Sequence, residues 1–137
     1  MAQELLVKEI LSADEIAAGE KLLKRLDSAK ANVIAAYWVY VPAVAEWHLE
    51  LVSPKVESEG PREFYSEVGD LLSSPTRIAG LTLNIIMVLG PSYSFYKQLR
   101  EALNPKEDLS GVRLRQILIG SEVMDLYIYR YPVKAQR

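Results

Sequence analysis

The single histidine of the chain, His48, lies in the stretch EWHLELV, with Glu46 two residues before it and Glu50 two residues after. In an extended strand alternate side chains share a face, and neighbours on that face stand roughly 6–7 Å apart. Two carboxylates and an imidazole would then form one row. With Asp125 supplied by a neighbouring strand, such a row can bind a divalent ion or act as a general acid/base set. Histidine is also the side chain tuned most easily to change charge near neutral pH. The competing reading is structural: an exposed strand face carries charge to stay soluble and unpaired. Both readings stand at the level of sequence.

Other chemistries find no foothold. The chain has no cysteine, which excludes disulfides, thiolate nucleophiles, Cys-ligated zinc and iron–sulfur clusters. It contains no G-x-G-x-x-G, no Walker A loop and no G-x-S-x-G elbow. One histidine rules out H-E-x-x-H, and a Ser-His-Asp triad would have to use His48 as its base. No D-x-K or E-x-K occurs, against a nuclease that sets metal and lysine on one strand face. In VLGPSYSFY, Ser92 and Ser94 stand where a helix begins. Free amides there can hold an anion, although serine at such a place is usually just a cap. The phrases GPREFY and GSEVMDLYIYR resemble segments of small bacterial proteins, a likeness that implies no activity.

These residues need elements to position them. Ser12 and Glu15 form the capping box S-A-D-E, and the helix after it is expected to run to about residue 30 with Ile16, Leu22, Leu23 and Leu26 as its apolar stripe. A helix is also expected over residues 3–11, where Glu4 and Lys8 form an i,i+4 pair. NVIAAYWVYVP and EWHLELV read as a hairpin, the second strand alternating Trp47, Leu49 and Leu51 against Glu46, His48 and Glu50. SPKVESEGPRE reads as a loop, with Pro61 opening a helix that buries Phe64, Val68, Leu71 and Leu72. LTLNIIMVLG is apolar on both faces and reads as an interior strand. SYSFYKQLREAL is a helix with Phe95, Leu99, Leu103 and Tyr96 inward, and VRLRQILI with EVMDLYIYRY is a second hairpin around Gly120. The tail VKAQR, residues 133–137, is expected to fray. The order α-α-β-β-α-β-α-β-β points to one α+β domain over residues 1–137. Its sheet should be mixed, mostly antiparallel and about five strands wide, with helices packed on one face.

Net charge is −2, from −6 in residues 1–70 and +4 in residues 71–137. The halves either attract within one fold or present two faces able to meet in an oligomer. No long apolar run is present, so a soluble cytoplasmic protein with no cofactor and no membrane contact is expected.

If the helices cover Tyr37/Val39/Val41 and Trp47/Leu49/Leu51, the opposite sheet face shows Trp38, Tyr40, His48, Arg113, Arg115, Tyr127 and Tyr129. Aromatic plus arginine composition is typical of binding surfaces. Three functions follow. The first is an interaction module that self-associates as a homodimer, or binds another protein, through this aromatic and charged face. The second is a metal-dependent hydrolase or nuclease using Glu46, His48, Glu50 and Asp125. The third is a single-stranded nucleic-acid binder stacking bases on Trp38, Tyr40, Tyr127 and Tyr129. The acidic balance disfavours the third. Arg113 and Arg115 are expected to pair with Glu46 and Glu50 across the sheet. An enzymatic role is disfavoured by the missing signatures.

Overall fold

The capping box forms as its spacing requires. Glu15 N donates to Ser12 Oγ at 3.0 Å, and Ser12 N donates to Glu15 Oε1 at 2.9 Å, which starts helix α1 (Ala13–Ser28). The computed structural model describes residues 10–103 and 109–131. Most of the expected helix over residues 3–11 and the tail after Tyr131 lie outside the described residues; Ile10 and Leu11 are not helical.

After α1 come β1 (Ala35–Val41) and β2 (Glu46–Val52), an antiparallel hairpin. A short helix α2 (Pro54–Glu59) follows, where sequence reads as loop. Ser53 and Pro54 explain it: the serine hydroxyl accepts from Lys55 N and proline suits the first turn. Helix α3 (Pro61–Ser73) buries Phe64, Val68 and Leu72. A 3-10 turn (Leu83–Ile85) leads into β3 (Ile86–Leu89), then α4 (Ser94–Ala102), β4 (Val112–Ile119) and β5 (Glu122–Arg130).

The fold is α+β, with one mixed five-stranded sheet ordered β3-β2-β1-β5-β4. All pairs are antiparallel except β2 with β3, whose strands are joined by the α2–α3 crossover that a parallel pair needs. Two expectations are corrected. β3 is an edge strand, not an interior one; its apolar residues are covered by helices rather than by strands on both sides. The helices also do not share one face. α1, α2 and α3 pack on the face showing Trp38, Tyr40, Trp47, Leu49 and Leu51, whereas α4 lays Tyr96 and Leu99 on the opposite face, against Tyr37, Val39, Leu126 and Ile128. β1, central and covered on both sides, is therefore buried from Ala35 to Tyr40.

Register decides which side chains share a face. Residues 42–45 turn the hairpin so that Tyr37 stands opposite Glu50, Trp38 opposite Leu49 and Val39 opposite His48. Trp38 therefore lies with the apolar row of β2, and Glu50 lies with Tyr37. The alternation of each strand is as expected, but the two strands match in the other phase. No helix among the described residues is long and apolar enough to cross a membrane.

Candidate functional site

The aromatic row is structural. Trp38 is fully buried and Tyr40 nearly so, in one core with Leu22, Leu26 and Phe64. Trp38 Nε1 donates to Tyr129 Oη at 2.8 Å, and that hydroxyl donates to the Ile16 carbonyl of α1 at 2.6 Å. Burial holds the Tyr129 hydroxyl protonated well above its ordinary range, so it keeps its donor role. Tyr127 packs edge-on against Tyr129, with ring centres 5.3 Å apart. The Arg113 guanidinium lies 5.9 Å from the Tyr127 ring centre and donates to Leu11 O at 3.4 Å. With α1 laid over these residues, the open aromatic face expected from sequence is absent. Arg113 and Arg115 sit on β4, separated from β2 by β5 and β1, so they do not pair with Glu46 or Glu50.

The acidic row is split as well. His48 Nε2 and Glu46 Oε1 are 3.1 Å apart at the end of β2 that runs past β3. Asp125 belongs to the other side of the sheet. Its Oδ1 accepts from Gln116 N at 2.8 Å and so holds a bulge in β4, where Gln116 has φ +53°. There it lines a cleft of about 510 Å³ with Trp47, Arg113 and Arg115. Among the described residues, no three His, Asp or Glu are grouped so as to hold a metal ion.

What remains is Glu50, and its surroundings are unusual. It lines a cleft of about 560 Å³ on the α4 side of the sheet, between the tips of the two hairpins and the start of α4. Val39, Val41, Tyr93, Phe95 and Met124 supply the apolar wall, and Glu122 stands among them. Glu50 Oε1, Tyr37 Oη and Tyr96 Oη are buried without a well-formed hydrogen bond, although the Tyr37 hydroxyl stands close enough to Glu50 for the two to interact as donor and acceptor. Native proteins leave few buried polar atoms poorly met, and here Glu50 has the Tyr37 hydroxyl as its one neighbouring donor, which leaves carboxyl acceptor capacity over. Burial pushes the Glu50 carboxyl above the usual carboxylate range, and the nearby Tyr37 hydroxyl and His48 oppose the shift. Burial likewise pushes the Tyr37 hydroxyl up, reinforced by Glu50, Tyr96 and Tyr93. Phe95 closes on Tyr37 with ring centres 6.2 Å apart.

The start of α4 is already served. Ser92 N donates to Glu57 Oε2 at 2.8 Å and the Ser92 hydroxyl donates to the same oxygen. These two bonds hold the Glu57 carboxylate below its usual range. The anion site suspected at Ser92 is thus filled by the protein's own side chain.

Sequence reasoning named Glu50 but set it in a row with Asp125, and it missed the cleft. Tyr93, Phe95 and Met124 come from elements distant in sequence, and only tertiary packing brings them together. No family model matches this sequence, and no curated protein or solved structure matches it either, so function is argued from the geometry.

Proposed function

We propose that this protein is a binding module whose ligand occupies the cleft over Glu50. One observation carries the reading: a largely buried carboxyl with one oxygen in no well-formed hydrogen bond and only the Tyr37 hydroxyl as a neighbouring donor, in the wall of an apolar cleft of about 560 Å³. Ligand sites are typically concave and mostly apolar, with a few polar groups that fix orientation. A carboxyl left partly unmet there costs stability, and perturbed, partly unmet groups concentrate at sites where a partner completes them. The metal-dependent hydrolase reading lacks the convergence it requires, since Asp125 lies across the sheet from Glu50. The stacking reading lacks open rings.

Amide chemical shifts test the proposal. Benzylamine, benzyl alcohol and benzoate at millimolar concentration are fragment-sized probes of charged and neutral kinds. At least one is expected to move the amides of residues 39–43, 50, 93–95 and 122–124 together. If none of the three moves them, the binding reading falls.

A second reading, self-association, is favoured by a different place from the one expected. Leu118 and Val123 are cross-strand neighbours at the β4–β5 hairpin end, each 60% exposed. Such an apolar pair suits contact with a second copy of the chain. A strict monomer by light scattering across the micromolar range removes this reading.

A further inference from the structure

We propose that the cleft recognises an organic cation, an ammonium group carried on an apolar body, with the ammonium set against Glu50. The inference rests on the binding reading above and adds the chemical class of the ligand.

Charge complementarity carries it. Glu50 and Glu122 are the ionisable carboxyl groups of the wall, and no lysine, arginine or histidine lines it among the described residues. An anionic ligand would meet two acidic groups in the wall, with His48, outside the wall, the nearest basic side chain acting on Glu50. The positive end of α4 is partly answered by the Glu57 carboxylate, which sits just before it on Ser92 N. A neutral ligand could accept a hydrogen bond from a protonated Glu50, but it would gain nothing from the negative charge of the exposed Glu122. An ammonium answers both groups. It donates to the Glu50 oxygen that lacks a well-formed bond and restores the charged form that burial disfavours. The rings of Tyr93 and Phe95 then line the same space, and cations are attracted to aromatic faces. Tyr93 is 45% exposed at the mouth, within reach of an entering ligand. Val39, Val41 and Met124 fit the apolar body.

The experiment titrates wild-type protein and Glu50→Gln with benzylamine, benzyl alcohol and benzoate, read by amide shifts in one buffer at neutral pH. Benzylamine is expected to saturate the cleft amides. Benzyl alcohol should bind about tenfold more weakly, as befits the loss of one charge-assisted hydrogen bond. Benzoate should leave these amides unmoved. In Glu50→Gln the amine should weaken to the level of the alcohol, while the alcohol itself stays unchanged. Glu122→Gln should weaken the amine only about two- to threefold, the scale of an exposed ion pair.

Equal binding of amine and alcohol overturns the inference. So does an amine titration untouched by Glu50→Gln. Either result leaves the binding reading standing, because a fragment still occupies the cleft; silence from all three fragments sinks both. The comparison of three fragments on wild-type protein tests the charge preference even if Glu50→Gln fails to fold.

Discussion

At the scale of single residues, Glu50 and Glu57 pull stability in opposite directions with pH. Burial raises the folded pKa of Glu50, so between the unfolded and folded values the folded state holds a proton that the unfolded chain has released. Stability contributed by this group is greatest below the ordinary glutamate pKa and falls as pH rises through the raised folded value. Tyr37 and His48 are the titratable groups that act on it directly, and Tyr93 and Glu122 line the same cleft. Glu57 has the reverse sign. Its depressed folded pKa gives stability above the ordinary glutamate value that is lost as pH falls through the folded one. Glu50→Gln is therefore expected to raise the melting temperature at neutral pH and to flatten its decline as pH rises above the ordinary glutamate pKa. A melting temperature lower than wild type at neutral pH, by calorimetry, would show that the carboxylate is stabilised rather than strained. Gly19 makes a second case. A Cβ placed there would collide with the Tyr129 hydroxyl and come within 2.9 Å of its ring carbon Cζ. Alanine gains about 1 kcal/mol of helix propensity, yet the collision should outweigh it. Gly19→Ala is expected to lose about 1–2 kcal/mol net in denaturant unfolding, as overpacked sites do. Tyr129→Phe strips the partner from Trp38 Nε1 and should cost about 1–3 kcal/mol. The double substitution should cost less than the sum, since each removes part of what the other strains against.

At the scale of elements, α1 does more than shield the sheet. Arg25, in its last turn, donates to the carbonyls of Leu71 at 2.7 Å, Ser74 at 3.0 Å and Thr76 at 2.7 Å. These oxygens lie at and just beyond the end of α3, where helical partners run out. Arg25→Met keeps the stem and removes the clasp. It should cost about 2 kcal/mol by denaturant unfolding, a value typical of hydrogen bonds from a charged group; a loss under a few tenths would mean that water satisfies those carbonyls as well. The elements themselves were largely legible in sequence because their signals are local. Ser12 with Glu15, the alternation of EWHLELV and the stripe Phe64, Val68, Leu72 each need only a few neighbouring residues. The pairing phase was not legible. It depends on residues 42–45, where Ala45 takes φ +54°, and a one-residue difference exchanges the faces of a whole strand. That single unknown put Trp38 with His48 instead of Leu49, and it turned a core into an apparent binding surface. Glu50 could be named from its strand, but its neighbours Tyr93 and Phe95 required knowing that α4 crosses to the other face.

At the scale of the whole molecule, the question is which surfaces are left for a second copy. The sheet edges are poor candidates. β3 is four residues long, and its Val88 N donates to the Tyr65 hydroxyl of α3 at 3.2 Å, so part of that edge is spoken for. β4 carries the exposed Arg113 and Arg115 and the bulge held by Asp125, devices that discourage a second strand from pairing. The opposite charges of the two halves of the sequence are partly answered within the fold. Arg130 meets Asp27 through both nitrogens at 3.0 and 2.7 Å, joining the positive half to the negative one. The aromatic rows are under helices. Ile10, Val44 and Leu83 are also exposed, but Leu118 and Val123 stand opposite each other as a cross-strand pair, and a contact through them would be corner to corner, each copy presenting the same pair. Leu118→Lys combined with Val123→Lys leaves both cores intact, since neither residue belongs to them. In sedimentation it should convert any dimer to monomer, with a weakening of about tenfold or more from burying two unpaired charges. Arg115→Glu, on the same strand but at the blunted edge, should leave association unchanged. If the edge substitution dissolves the dimer and the corner substitution does not, then the copies pair strand to strand despite the bulge, and the corner is only an exposed apolar pair.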